Sequence, residues 1–204
     1  MVANMLKVLY SIFFILFLLL PVKSAEFTIQ EIKDENWAVI FLTGSIKPKD
    51  YEKYLNIVET SKKPIRQIWL NSPGGSLRDG YLIGKHVNEN DIITIVPPRT
   101  FNNFTQCNSA CAIISLSGKK KVMATNSIIG LHSTFEEKGN KRVISKDAML
   151  GNALVNHYFG YLNLPIEVSL AWTGTDPSTL KIIKPEDNEK FDIGYEVVTP
   201  DFFK

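Results

Sequence analysis

The segment "IRQIWLNSPGG" (65–75) decides how this chain is read. Ile65, Ile68, Trp69 and Leu70 form a short apolar run of strand length. Pro73 then fixes the backbone, and Gly74 and Gly75 admit torsions that other residues resist. A buried strand therefore ends at Asn71 in a tight turn. After it, "LRDGYLIGKHVNEN" (77–90) has helical spacing and "DIITIV" (91–96) returns to a strand. Before it, "WAVIFLTG" (37–44) reads as a buried strand ending at Gly44, and "YEKYLNIVETS" (51–61) as a helix. This alternation is that of an α/β domain with a largely parallel sheet.

The pattern continues downstream. "SACAIISLSG" (109–118) reads as a helix despite its β-branched residues. "KVMA" (121–124) and "SIIGLHS" (127–133) read as short strands. "SKDAMLGNALVNHYFGYLN" (145–163) is a helix with Ser145 as its N-cap, and "IEVSLAWTG" (166–174) is another. "PEDNEKFDIGYEVVT" (185–199) gives a short helix, a turn at Gly194 and a last strand. There is no internal repeat or low-complexity linker. In open parallel sheets, sites lie beyond the C-terminal ends of the strands. Two motifs fall there: the turn after Leu70 and the segment after Val96.

The turn "NSPGGS" (71–76) is either a plain tight turn or a set of outward-pointing amides able to bind an oxyanion. Ser109, inside "CNSACAIISLSG" (107–118), is either an N-cap or a nucleophile at the positive end of a helix. A nucleophile also needs a base, and the chain has three histidines. His86 lies in the helix after the glycine turn, and His157 reads as half-buried packing in the long helix. His132 closes a short strand, where a fixed backbone could aim its ring. Ser109 and His132 are 23 residues apart and could meet through a hairpin-like return.

Taken together, "VIFLTG", "NSPGGS", a serine heading an apolar helix and "SIIGLHS" closely resemble the proteolytic subunit of the Clp protease, within the crotonase-like superfamily. Order and spacing match from about residue 38 to 132, and a weaker similarity runs through "WTG" and "PED…IGYEVV" to about 198. The C-x-S-A-C form around Ser109 resembles an exported bacterial subgroup. The resemblance implies a single α/β domain built as a spiral of ββα units. It makes Ser109 the nucleophile, His132 its base, and the N–H groups of Gly75 and Ala110 the oxyanion hole. It also implies a peptide or protein substrate, no cofactor or metal, and a homo-oligomer. The helix at 145–163 stands where the family carries the "handle" that joins its rings.

The chain departs from that pattern in three places. The family's third catalytic residue is a late Asp. Alignment on Pro185–Glu186 puts Thr179 there, alignment on Thr173–Gly174 puts Asp187 there, and Asp176 is a further neighbour. The family's N-terminal segment, which meets an ATPase, shrinks to about 12 residues, so no ATPase partner is expected. Cys107 and Cys111 flank Ser109 and could pair in an oxidising compartment, or simply pack as small buried residues.

Residues 1–25 read as a signal peptide: Lys7, an apolar run from Val8 to Leu20, then Pro21 and small residues. Val22 and Ser24 suit a cut after Ser24, and a cut after Ala25 is the alternative. The expected location is periplasmic or secreted, or membrane-anchored if the leader stays. The sequon at Asn103 would matter only in a eukaryotic secretory route.

The domain at 26–204 then has 21 cations against 21 anions, giving no basic field for nucleic acid. Two cysteines make no closed zinc site. The expectation is an exported serine hydrolase. The rivals are an inactive Clp-like binding or assembly protein, an acyl-CoA enzyme of crotonase type, and a Ser-Lys peptidase using Lys119, Lys120 or Lys121.

Overall fold

The computed structural model describes residues 24–99 and 105–203. The expected leader up to Lys23 and the sequon at Asn103 lie outside the described residues. Strands β1 (Glu26–Glu31), β2 (Ala38–Thr43), β3 (Ile65–Asn71), β4 (Ile93–Val96), β6 (Lys121–Ala124) and β11 (Tyr195–Val198) form one sheet in the order β1-β2-β3-β4-β6-β11. The joins from β2 to β11 are parallel, and β1 pairs antiparallel with β2 from Glu26↔Thr43 to Glu31↔Ala38. Helices α1 (Asp50–Thr60) and α2 (Leu77–Glu89) are the crossovers that β2-to-β3 and β3-to-β4 parallel pairing requires.

A second sheet holds β5 (Cys107–Asn108), β7 (Ile129–Leu131) and β10 (Lys181–Ile183) in the order β10-β7-β5. A hairpin of β8 (Glu136–Lys138) and β9 (Lys141–Val143) precedes α4 (Lys146–Tyr161), α5 (Ile166–Thr173) and α6 (Pro185–Phe191). The antiparallel edge β1 and the short strands β5, β8, β9 and β10 were not expected. They are two to six residues long, and most are too polar or too short to show a period of two.

Helix α3 (Ala110–Ser117) is the structural centre, with all eight of its residues buried. A helix buried on every side belongs inside a domain; its two serines are hydrogen-bonded there, and packing overrides the weak propensity of Ile113 and Ile114. Its small residues let α2 approach closely, and α2 answers with Gly80 and Gly84. A Cβ on Gly80 would sit 2.7 Å from the Ala110 Cβ, and one on Gly84 2.5 Å from the Ser117 Oγ. These glycines therefore set the depth of α3 and the position of Ser109 at its head.

Candidate active site

Ser109 occupies the N-cap position of α3, but its hydroxyl makes no capping hydrogen bond. Its backbone has φ 55° and ψ −121°, a region that L-residues rarely adopt. Such a residue costs on the order of 1–3 kcal/mol and persists only where its surroundings hold it. Here they do. The Ser109 N–H donates to the Gly130 carbonyl at 2.8 Å, and the Ile113 N–H reaches back to the Ser109 carbonyl at 3.3 Å. The backbone holds the hydroxyl at the rim of a cleft of about 470 Å³ instead of folding it onto the helix end.

His132 lines the same cleft. The two residues do not meet through a hairpin-like return, because β5 and β7 run parallel. Cys107 pairs with Ile129 and Asn108 with Gly130. Ser109 and His132 each follow the end of one of these strands, so a single register sends both out at the same sheet end. Helix α3 and β6 form the connection between them. Gly130 makes the approach possible, since any Cβ there would run into the Asn108 side chain.

The His132 ring is fixed on several sides. Its Nδ1 is 2.8 Å from the Ser133 carbonyl oxygen, so Nδ1–H donates and Nε2 is left as the acceptor. Trp172 stacks against the ring with centroids 6.2 Å apart and planes 16° apart, and Phe135 lies at 5.4 Å. Burial pushes the imidazole below its ordinary 6.5, the Arg142 charge lowers it further, and the Ser133 hydrogen bond opposes both. The ring is therefore biased to the neutral form that can accept a proton. The structure shows no hydrogen bond between the Ser109 hydroxyl and the ring.

None of the three candidates for the third residue touches His132. The Asp176 carboxylate accepts from the N–H and hydroxyl of Ser178 in an exposed turn. The Thr179 hydroxyl donates to the Asp176 carbonyl, and the Asp187 carboxylate caps α6 through the Lys184 N–H at 3.0 Å. A main-chain carbonyl stands behind the imidazole instead. It can fix tautomer and orientation as an acid would, but adds no negative charge to stabilise an imidazolium.

The glycine turn lies opposite. Ser72 N–H donates to the Gln106 carbonyl at 2.6 Å and Asn108 N–H to the Ser72 carbonyl at 3.1 Å, lacing the turn to the strand that delivers Ser109. Gly74 has φ 92°, and a Cβ there would lie 2.7 Å from the Ser109 Cβ. Gly75 has φ 137° and packs on the Ile46 carbonyl. Among the described residues neither the Gly75 nor the Ala110 N–H has a hydrogen-bond acceptor. Two unengaged amides beside one hydroxyl are what an oxyanion hole requires.

The other expected residues fall as follows. Cys107 and Cys111 are joined as a disulfide across Ser109, with Cα atoms 5.1 Å apart and both side chains fully buried. His86 faces a different corner, its Nδ1 3.0 Å from the Tyr54 hydroxyl. His157 is exposed rather than half-buried, because α4 turns Val155, Tyr158 and Phe159 inward. Lys119 pairs with Asp91 at 2.6 Å, Lys120 with Glu196 at 3.1 Å, and Lys121 reaches the Gly118 carbonyl, so none lines the cleft. Among the described residues there is no group of three or more His, Cys, Asp or Glu side chains that could hold a metal ion.

Sequence reasoning missed the supports. Asn152 on α4 accepts from the Thr134 N–H at 2.7 Å and from the Trp172 indole N–H at 3.0 Å, tying the wall behind His132 to the long helix. "WTG" marked Trp172 as notable, but nothing marked Asn152.

No protein-family model matches the chain, and no curated protein matches it. Solved structures do. A serine-to-alanine mutant of the membrane-bound stomatin-specific protease 1510-N superposes with a TM-score of 0.61 at 18% identity, covering 85% of this chain and 83% of that one. The ClpP protease catalytic domain from Plasmodium falciparum gives 0.55 at 22% identity, covering 83% and 94%. An asparagine-to-aspartate mutant of ClpP1 from Listeria monocytogenes gives 0.58 at 16%, covering 81% and 94%. The chain has the single-domain α/β fold of the Clp-type proteases.

Proposed function

We propose that this chain is an exported bacterial serine hydrolase, an ATP-independent peptidase working through an acyl-enzyme. The observation that carries the reading is the serine in strained backbone, its hydroxyl spared from capping, on one cleft with a neutral-biased histidine and two unengaged amides. In this mechanism His132 Nε2 takes the proton as Ser109 Oγ attacks a substrate carbonyl carbon. The Gly75 and Ala110 N–H groups hold the oxyanion, and the imidazolium then protonates the leaving amine. Water, deprotonated by the same ring, releases the acyl group and restores the serine. No step calls for a cofactor, a metal or an ATPase.

Two further features support parts of this reading. The fold is shared with a stomatin-specific protease solved in complex with a substrate peptide, which favours a peptide in the cleft. Met149, Leu150, Ile166 and Leu170 on α4 and α5 are 61–64% exposed, a surface suited to a homo-oligomer. The test is hydrolysis of a fluorogenic peptide-amide library by the mature protein. Turnover lost in Ser109→Ala supports the reading, and turnover unchanged in that variant refutes it.

One observation favours a second reading, a Clp-like binding or assembly protein without activity: among the described residues no carboxylate hydrogen-bonds His132, whose Nδ1 meets the Ser133 carbonyl. That reading is selected if the wild-type protein neither hydrolyses peptides nor reacts with a serine-directed phosphonate.

A further inference from the structure

The first described residues end at a buried carboxylate. Asp50 is fully buried at the start of α1. Its Oδ1 accepts from the Ser24 hydroxyl at 2.7 Å and the Lys53 ammonium at 2.7 Å. Its Oδ2 is held by two neutral amides, Lys47 N–H at 2.7 Å and Ala25 N–H at 3.2 Å. The Lys53 side chain is half exposed, so much of its charge faces water, and among the described residues Oδ2 has no cation of its own. Burying a carboxylate is costly unless charge and hydrogen bonds compensate. Ala25, the residue that reaches Oδ2, is the first residue after the best-matching leader cut.

This corner connects to the candidate oxyanion turn through the main chain of Lys47 and Ile46, beside a second link in which Asp79 accepts from the Tyr51 N–H and the Ser76 hydroxyl. Asp50 holds Lys47, whose neighbour Ile46 bridges Gly75. The Ile46 N–H donates to the Gly74 carbonyl at 2.8 Å, and the Ser76 N–H donates to the Ile46 carbonyl at 2.8 Å. Both bonds bracket Gly75, and Ile46 and Lys47 themselves line the cleft.

Resting on the exported-hydrolase reading, we infer that Asp50 is the seat for the mature protein's own α-ammonium, and that this ion pair positions the Gly74–Ser76 turn. A leader peptidase hydrolyses the Ser24–Ala25 bond. Ser24 departs with the leader as a carboxylate, and the Ala25 nitrogen takes up protons to become an ammonium. One amide hydrogen and one departing hydroxyl are thereby replaced by three donors carrying a full charge beside Oδ2. A charge-assisted bond is shorter and stronger than the neutral one it replaces. Ala25 is only 6% exposed, so the cut precedes the folding of this corner. In the uncleaved chain the seat holds a neutral amide and the turn is held more loosely. Asp50 is thus a positioning residue that acts through Ile46 on Gly75.

The test begins with the intact mass of the exported protein, which should start at Ala25; any other first residue overturns the inference. The mature protein is then compared with a form carrying one glycine before Ala25 and with Asp50→Asn. Fluorophosphonate labelling should slow roughly 10–100-fold in both, below the 10²–10³ that losing an oxyanion donor costs. The Gly75 amide resonance should shift in both, while the extended form keeps the melting temperature of a folded domain. Equal labelling and an unmoved Gly75 resonance in the extended form overturn the inference. If no form labels, the hydrolase reading fails separately, and the Gly75 resonance alone decides whether the ammonium acts on the turn.

Discussion

Ser109 is tied to Gly130 main chain to main chain, its N–H donating to the Gly130 carbonyl at 2.8 Å, two residues before His132. This bond continues the parallel β5–β7 register and holds the hydroxyl and the imidazole on one cleft. In Gly130→Ala the new Cβ would lie 3.0 Å from the Asn108 Cγ and closer still to its Oδ1. The Asn108 side chain, packed against Gly130 in the β5–β7 pair, must be displaced to admit it. The expected loss is about 1–3 kcal/mol, the usual range for overpacking, read by urea unfolding, together with slower phosphonate labelling.

Burial holds His132 below its ordinary 6.5. The base form is therefore present at lower pH than for a free imidazole. The labelling rate should rise with a midpoint below 6.5 and stay flat above it; a midpoint above 7 contradicts the account. The linkage to stability has the same sign. Below 6.5 the unfolded chain binds protons that folded His132, and folded His86, resist. Stability to urea should be full above 6.5 and decline as pH falls through the unfolded value.

Asp176 and Asp187 satisfy local turns, and neither hydrogen-bonds the imidazole, whose Nδ1 meets the Ser133 carbonyl. Asp176→Ala and Asp187→Ala should leave the labelling rate within a few-fold of wild type, whereas loss of a true orienting acid costs about 10⁴. A fall of that size in either variant would return the acid to the site.

The Cys107–Cys111 bridge closes a loop of sequence separation 4 around Ser109. Chain-entropy arguments give so small a loop about 2 kcal/mol. The double variant Cys107→Ala, Cys111→Ala should lose about that much on urea unfolding. Alkylation of the urea-unfolded protein without reductant should add no mass at either cysteine; alkylation at both would show that the bridge does not form.

Trp172 stacks on His132, packs edge-on against Phe159 at 5.9 Å and is 1% exposed. Trp172→Ala should cost about 3–5 kcal/mol, and the freed ring should titrate closer to 6.5 by NMR. An unshifted ring would mean that Trp172 is not what keeps water from it.

The sequence exposed what periodicity and glycine chemistry can carry. β2, β3 and α2 are apolar at their own periods, and Gly74 and Gly75 mark a turn that no Cβ would fit. Ser109 and His132 were legible as candidates because helix heads and strand ends place side chains predictably. Their pairing came from the family resemblance and not from periodicity, and the parallel path that joins them was missed, since it depends on the two-residue strand β5, far too short to leave a pattern. The support behind His132 was hidden for another reason. Residues expected to supply a carboxylate cap local turns, while the acceptor is the carbonyl of Ser133, which no side-chain motif encodes. Asp50 and Asn152 were silent because single polar residues carry no spacing.

The most direct measurement is to treat the purified mature protein with a fluorophosphonate and map the adduct by tandem mass spectrometry. The account predicts one adduct, on Ser109, absent in Ser109→Ala and strongly reduced in His132→Ala. An adduct on another residue, or equal labelling without His132, would contradict it.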